Sequence, residues 1–143
     1  MKNFLSQVLM VGLSLILCSA QAEQKSSTCD GVVSILRLSS FVDGGSESGV
    51  RQAAAMHNAW YKSHGVLENS QVVVPVMEYD RATDSVTQDK TRIATLHLNS
   101  EASVAAREYQ GDEGWKGFLN AYNQNTEVQD TIFLCLPNEI FRR

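Results

Sequence analysis

The stretch that most constrains this chain is Gly49 to Gly65, GVRQAAAMHNAWYKSHG. Plotted at about 100° per residue, Val50, Ala53, Ala54, His57, Trp60, Tyr61 and His64 fall on one stripe, and Arg51, Gln52, Asn58 and Lys62 fall opposite. That pattern predicts one amphipathic helix with an aromatic, histidine-bearing inner face. Two of the chain's three histidines lie on it. Ser46 or Ser48 can cap its start, and Gly65 suits a left-handed residue at its end.

The segments around this helix read as strands. Val32–Val42 is rich in β-branched and large apolar residues, and Ser70–Tyr79 (SQVVVPVMEY) is similar. Pro75 cannot donate to a ladder, which places the second strand at an edge or at a bulge. Asp80–Thr91 is polar and turn-rich, so a long-looped hairpin is expected to lead into a third strand, Arg92–Asn99. Ser100 can cap a short helix to about Glu108. Asp112 can open another, in which Trp115, Phe118, Leu119 and Tyr122 recur at helical spacing, a stripe read as core rather than as a cofactor box. Thr131–Leu136 completes the set as a fourth strand, ended by Pro137.

The order β-α-β-β-α-β predicts an α+β, ferredoxin-like sandwich: a four-stranded antiparallel sheet, order 4-1-3-2, with both helices on one face. That sheet order would set Cys29 and Cys135 side by side at the ends of neighbouring strands. The two are read as a disulfide, since neither has Cys-x-x-Cys spacing or an adjacent histidine. The strands are apolar on both faces, so the face without helices is expected to pack on a second copy as a homodimer.

The amino-terminal residues carry an address. Lys2, the apolar run Phe4–Cys18 and Ala20-Gln21-Ala22 make residues 1–22 a secretory signal peptide, too short for a stable span. A lipoprotein acylated at Cys18 is the rival, disfavoured because Leu17 stands where that processing needs a small residue. Residues 23–28 read as a flexible polar lead-in and 29–143 as a single domain. Removing the leader takes away only Lys2 and leaves 11 basic against 16 acidic residues. No basic stripe remains to hold a nucleic acid, and no second apolar span follows. The short leader and the cysteine pair point to the bacterial periplasm.

With the element order, helix stripe and doubly apolar sheet assembled, the chain resembles the dimeric α/β-barrel superfamily. That group includes the antibiotic-biosynthesis-monooxygenase-like and stress-responsive barrel families. The resemblance covers about Val32 to Leu136 and rests on architecture. It implies a pocket between helices and sheet. Some members are cofactor-free oxygenases, some degrade haem, and many have no known activity.

Candidate chemistry is sparse. His57 is read first as a core histidine bonded to a strand carbonyl or a tyrosine. Its sharper role is an acid/base in a pocket, with Trp60, Tyr61 and Arg37 positioning a ligand. His57 and His64 lie about 10.5 Å apart along the helix axis, an awkward span for one metal, so no metal is expected. His64 is a further ligand-binding candidate, its alternative role being to meet the helix's carboxyl-terminal carbonyls. His97 would approach His57 if strand three turns that side toward the helices, and would otherwise meet the second copy. Arg37, among apolar neighbours, needs a partner: an ion pair with Glu78 or a neighbouring subunit, or an anionic ligand. Gly44-Gly45-Ser46 lacks the lysine and spacing of a phosphate loop and reads as a flexible linker. No cofactor motif is present, and haem is a third reading. The two leading functions are a small exported dimer binding an apolar or aromatic small molecule, and a non-enzymatic interaction module.

Overall fold

In a computed structural model, residues 28–141 are described; the leader and the Cys18 reading lie outside them. Four antiparallel strands, β1 (Val32–Phe41), β2 (Ser70–Asp80), β3 (Ser85–Leu98) and β4 (Thr126–Leu136), form one sheet in the order β2-β3-β1-β4. Helices α1 (Glu47–Ser63) and α2 (Glu113–Asn123) and a 3₁₀ segment, Ser100–Tyr109, complete an α+β sandwich of order β-α-β-β-α-β, consistent with a ferredoxin-like fold. A second 3₁₀ turn, Asn138–Phe141, follows β4.

The stripe does what its spacing requires. Val50, Ala53, Ala54, His57, Trp60 and Tyr61 are the buried residues of α1, and the core runs from them to Val73, Ile93, Phe118 and Tyr122. Ser46 caps α1, its hydroxyl accepting from the Gly49 amide at 3.1 Å, and Gly65 adopts φ +78° just past the end. Asp112 caps α2 through the Trp115 amide at 2.7 Å.

Three expectations change. The β2–β3 hairpin is long and tightly turned, because Ser85–Gln88 continues the ladder opposite Met77–Asp80 through backbone groups, which need no apolar alternation. Asp80 closes the turn by accepting from the Ala82 amide and the Thr83 hydroxyl. β4 likewise begins five residues earlier than its apolar run, at Thr126. The Gly44-Gly45-Ser46 segment is not a free linker. The Asn125 carbonyl accepts from Val42 N at 3.2 Å and its side-chain oxygen from Ser46 N at 3.1 Å. Asn125 leaves no room for a side chain at Gly49, where a Cβ would stand 1.9 Å from its amide oxygen.

β2 is an edge strand, and its ladder with β3 slips between Pro75 and Met77, where proline removes a donor. Asn58 of α1 guards the edge. Its amide oxygen accepts from Gln71 N at 2.6 Å, and its amide nitrogen donates to Gln71 O at 3.0 Å. At the other side of the sheet, Cys29 and Cys135 form a disulfide, bringing the segment before β1 to the end of β4. No helix among the described residues is long and apolar enough to cross a membrane.

Candidate functional site

Register decides which strand residues face the helices. Ile35 pairs with His97, and His97 with Gln71; one step along, Arg37 pairs with Thr95, and Thr95 with Val73. Side chains alternate, so these two cross-strand rows share the helix-covered face. A cavity of about 400 Å³ opens there between sheet, α1, α2 and the 3₁₀ segment. Ile35, Arg37, Gln71 and His97 form its floor; His57, Tyr61, Trp115 and Phe118 are among its walls, and Arg107 lies on the 3₁₀ side.

His57 is buried, 3% exposed, in a cage of rings. Ring centroids lie 4.2 Å away for Phe118, 4.7 Å for Tyr61, 5.0 Å for His97 and 5.7 Å for Trp115. The expected hydrogen bond to a strand carbonyl or tyrosine is missing. Tyr61 stands edge-on to the ring, and His57 Nδ1 is sealed without a partner. Gln71 Oε1 is the cavity's second buried polar atom without one. Native interiors leave few such atoms unpaired.

Burial governs the ionisation here. Desolvation, helped by the charges of His97 and Arg37, pushes His57 down to about 3. The same burial, with Arg37 again opposing a second positive charge, holds His97 at about 4. Both rings are therefore neutral at neutral pH. His97 Nε2 donates to Asn69 Oδ1 at 2.6 Å, which fixes its tautomer. Burial raises Tyr61, partly offset by Ser103, Gln110 and the two arginines.

His57, Tyr61, His97 and Arg37, candidates from sequence, meet at the cavity. Trp60 and His64 do not line it. Trp60 lies behind Tyr61 and Trp115 and donates its indole N–H to Asp112 at 2.8 Å. His64 Nδ1 lies 2.8 Å from the Trp60 carbonyl and its Nε2 3.4 Å from Asp112, so it ties the end of α1 to the start of α2. The Trp115–Tyr122 stripe serves as core and cavity wall together, since all four of its residues line the space. Arg37 does not pair with Glu78. Glu78 belongs to the hairpin extension, where it meets Arg92 at 3.3 Å, and β3 separates its strand from β1. Sequence reasoning did not single out Gln71 or Arg107. A glutamine heading a run of valines was a visible signal for the first; a short, polar helix carried none for the second.

Among the described residues no cluster of three or more His, Cys, Asp or Glu side chains could hold a metal ion. Haem does not fit the histidines as they stand. The His57 ring is enclosed by four others, and His97 Nε2 is committed to Asn69, so neither can bind an iron without rearrangement of this cage. Compared with known proteins, the chain matches no family model and shows no significant similarity to a curated protein sequence. The site is therefore read from its own geometry.

Proposed function

We propose that this chain is an exported, small-molecule-binding protein of dimeric α/β-barrel type, working in the bacterial periplasm and taking an apolar or aromatic ligand between helices and sheet. The observation that carries the reading is the cavity of about 400 Å³, walled by aromatic rings, with His57 Nδ1 and Gln71 Oε1 left without partners beside it. Ligand pockets are of this size and mixture: apolar walls with a few unpaired polar groups to orient the guest. Export draws support from the disulfide and from the leader pattern of residues 1–22.

Binding is favoured over oxygenase-like catalysis by the state of His57. A base held at about 3 takes protons poorly at neutral pH, and its Nδ1 is sealed, whereas the rings and arginines lining the cavity can hold a guest without any proton transfer. If the site is catalytic, His57 is its acid/base, with Tyr61 and Arg37 positioning the ligand.

The second copy is supported by the sheet's other face. Val72, Leu96, Leu36 and Ile132 form a continuous cross-strand row there, with Val72 and Ile132 more than 40% exposed. A self-complementary apolar row of this kind suits a two-fold sheet-on-sheet contact. The same row supports the alternative, an interaction module without a ligand.

Native mass spectrometry of the oxidised protein tests both parts. A dimer with retained small-molecule mass is the expected result. A ligand-free dimer moves the reading to the interaction module, and a monomer removes the barrel.

A further inference from the structure

We infer that the ligand is an organic anion, a carboxylate on an apolar body, seated with its charged end on Arg37 and Arg107. The inference deepens the pocket reading above and rests on it. Its basis is the charge of the wall. The chain has more acid than base, 16 against 12, yet the cavity lining carries two arginines and neither an aspartate nor a glutamate. Among the described residues neither guanidinium has an ion pair; the Lys and Arg ion pairs belong to Arg51, Arg92 and Lys116.

Register explains why no local carboxylate neutralises Arg37. Its cross-strand neighbours are Thr95 and Thr131, and the acids nearest on β4, Glu127 and Asp130, pair with Ser40 and Leu38, which alternate to the opposite face. Arg37 is half-buried, so its charge is only partly quenched by water, and it depresses the basicity of both buried histidines. A half-buried guanidinium without a counter-ion is costly unless an anion completes it. Arginine's planar fork matches a carboxylate's two oxygens. Arg107, exposed at the rim, adds a second fork and steers the anion in. The rings of Tyr61, Trp115, Phe118 and Tyr122 then take the apolar body.

Acid and amide pairs of equal shape test this: phenylacetate against phenylacetamide, and octanoate against octanamide, titrated into the oxidised protein by calorimetry. The expected result is that at least one acid binds about tenfold or more tightly than its amide, as a charged hydrogen bond to arginine supplies. Arg37→Gln should abolish that preference, lowering the acid's affinity to that of its amide. Arg107→Gln, on an exposed side chain whose loss the fold tolerates, should weaken acid binding severalfold and flatten its salt dependence. Should Arg37→Gln fail to fold, Arg37→Lys, which keeps the charge and loses the fork, should cut the preference in part. Equal affinity for acid and amide, or a preference that survives both arginine substitutions, overturns the anion assignment and leaves the pocket. Absence of binding by either member of both pairs overturns the pocket reading itself, and the anion with it. A preference for octanoate over phenylacetate would identify an aliphatic rather than an aromatic acid.

Discussion

His57→Phe should change the pH dependence of stability by a calculable amount. The imidazole is buried among Phe118, Tyr61, His97 and Trp115 and is held at about 3, against 6.5 for the exposed side chain. The folded pKa is lowered, so below pH 6.5 the unfolded chain binds a proton that the folded chain refuses. Stability is complete above about pH 7 and is lost as pH falls from 6.5 towards the folded value. Each pH unit inside that window removes about 1.4 kcal/mol per histidine. Between pH 7 and pH 5, His57 alone should cost the native protein about 2 kcal/mol, and His97, held at about 4, a similar amount. Phenylalanine keeps the ring contacts and removes the titration. Urea unfolding of the oxidised protein, followed through Trp60 and Trp115 fluorescence at several pH values, reads both curves. The substitution's offset at pH 7 contains packing and the loss of an unpartnered nitrogen. The growth of the difference towards pH 5 contains only the proton. We expect the variant to gain about 2 kcal/mol on the native protein over that interval. Parallel curves would refute a buried, neutral His57.

Other substitutions probe the frame around the cavity. Asn58→Ala should lose about 2–3 kcal/mol in urea unfolding, since it strips both partners from the Gln71 backbone at the sheet edge; an unchanged midpoint would remove Asn58 as the edge guard. Tyr122→Phe should cost about 1 kcal/mol by the same assay, because its hydroxyl lies 3.2 Å from that of Ser39 and 3.3 Å from that of Thr95, all buried. Replacing Cys29 and Cys135 together by serine opens a loop of sequence separation 106, for which chain entropy gives a loss of about 4–5 kcal/mol. A denaturation midpoint indifferent to both the substitution and reductant would refute that role.

What was legible in the sequence was whatever rested on local periodicity. The α1 stripe, the Asp112 cap and the element order follow from spacing along the chain, the meeting of Cys29 with Cys135 follows from the sheet order that the element order implies, and the fold bears them out. Strand extent was less legible at the hairpin and at the start of β4. Ser85–Gln88 and Thr126–Val128 pair through backbone groups, which any side chain can carry, so no apolar alternation marks them. The site was half legible. His57 and Tyr61 belong to a helix face and could be placed together, but bringing Arg37, Gln71 and His97 under them required the register of three strands. A one-residue slip would have sent all three to the open face. The isolation of Arg37 from carboxylates is likewise a register fact, invisible to composition.

β4 connects the site to the disulfide. Most of this strand is exposed, including Phe133, although Ile35, its partner on β1, lines the cavity. The α1 stripe packs towards β2 and β3, and the charged and polar residues of β4 bury little apolar area of their own. Its hold on the domain is therefore mainly the ladder to β1, interrupted by a register shift between Leu38 and Ser39, and the bond from Cys135 to Cys29. Val128 of the same strand borders the cavity. An oxidised end thus fixes the strand that packing secures least. In a chain whose pocket leaves polar atoms and a guanidinium unpaired, such a covalent tie offsets part of what that pocket costs the fold.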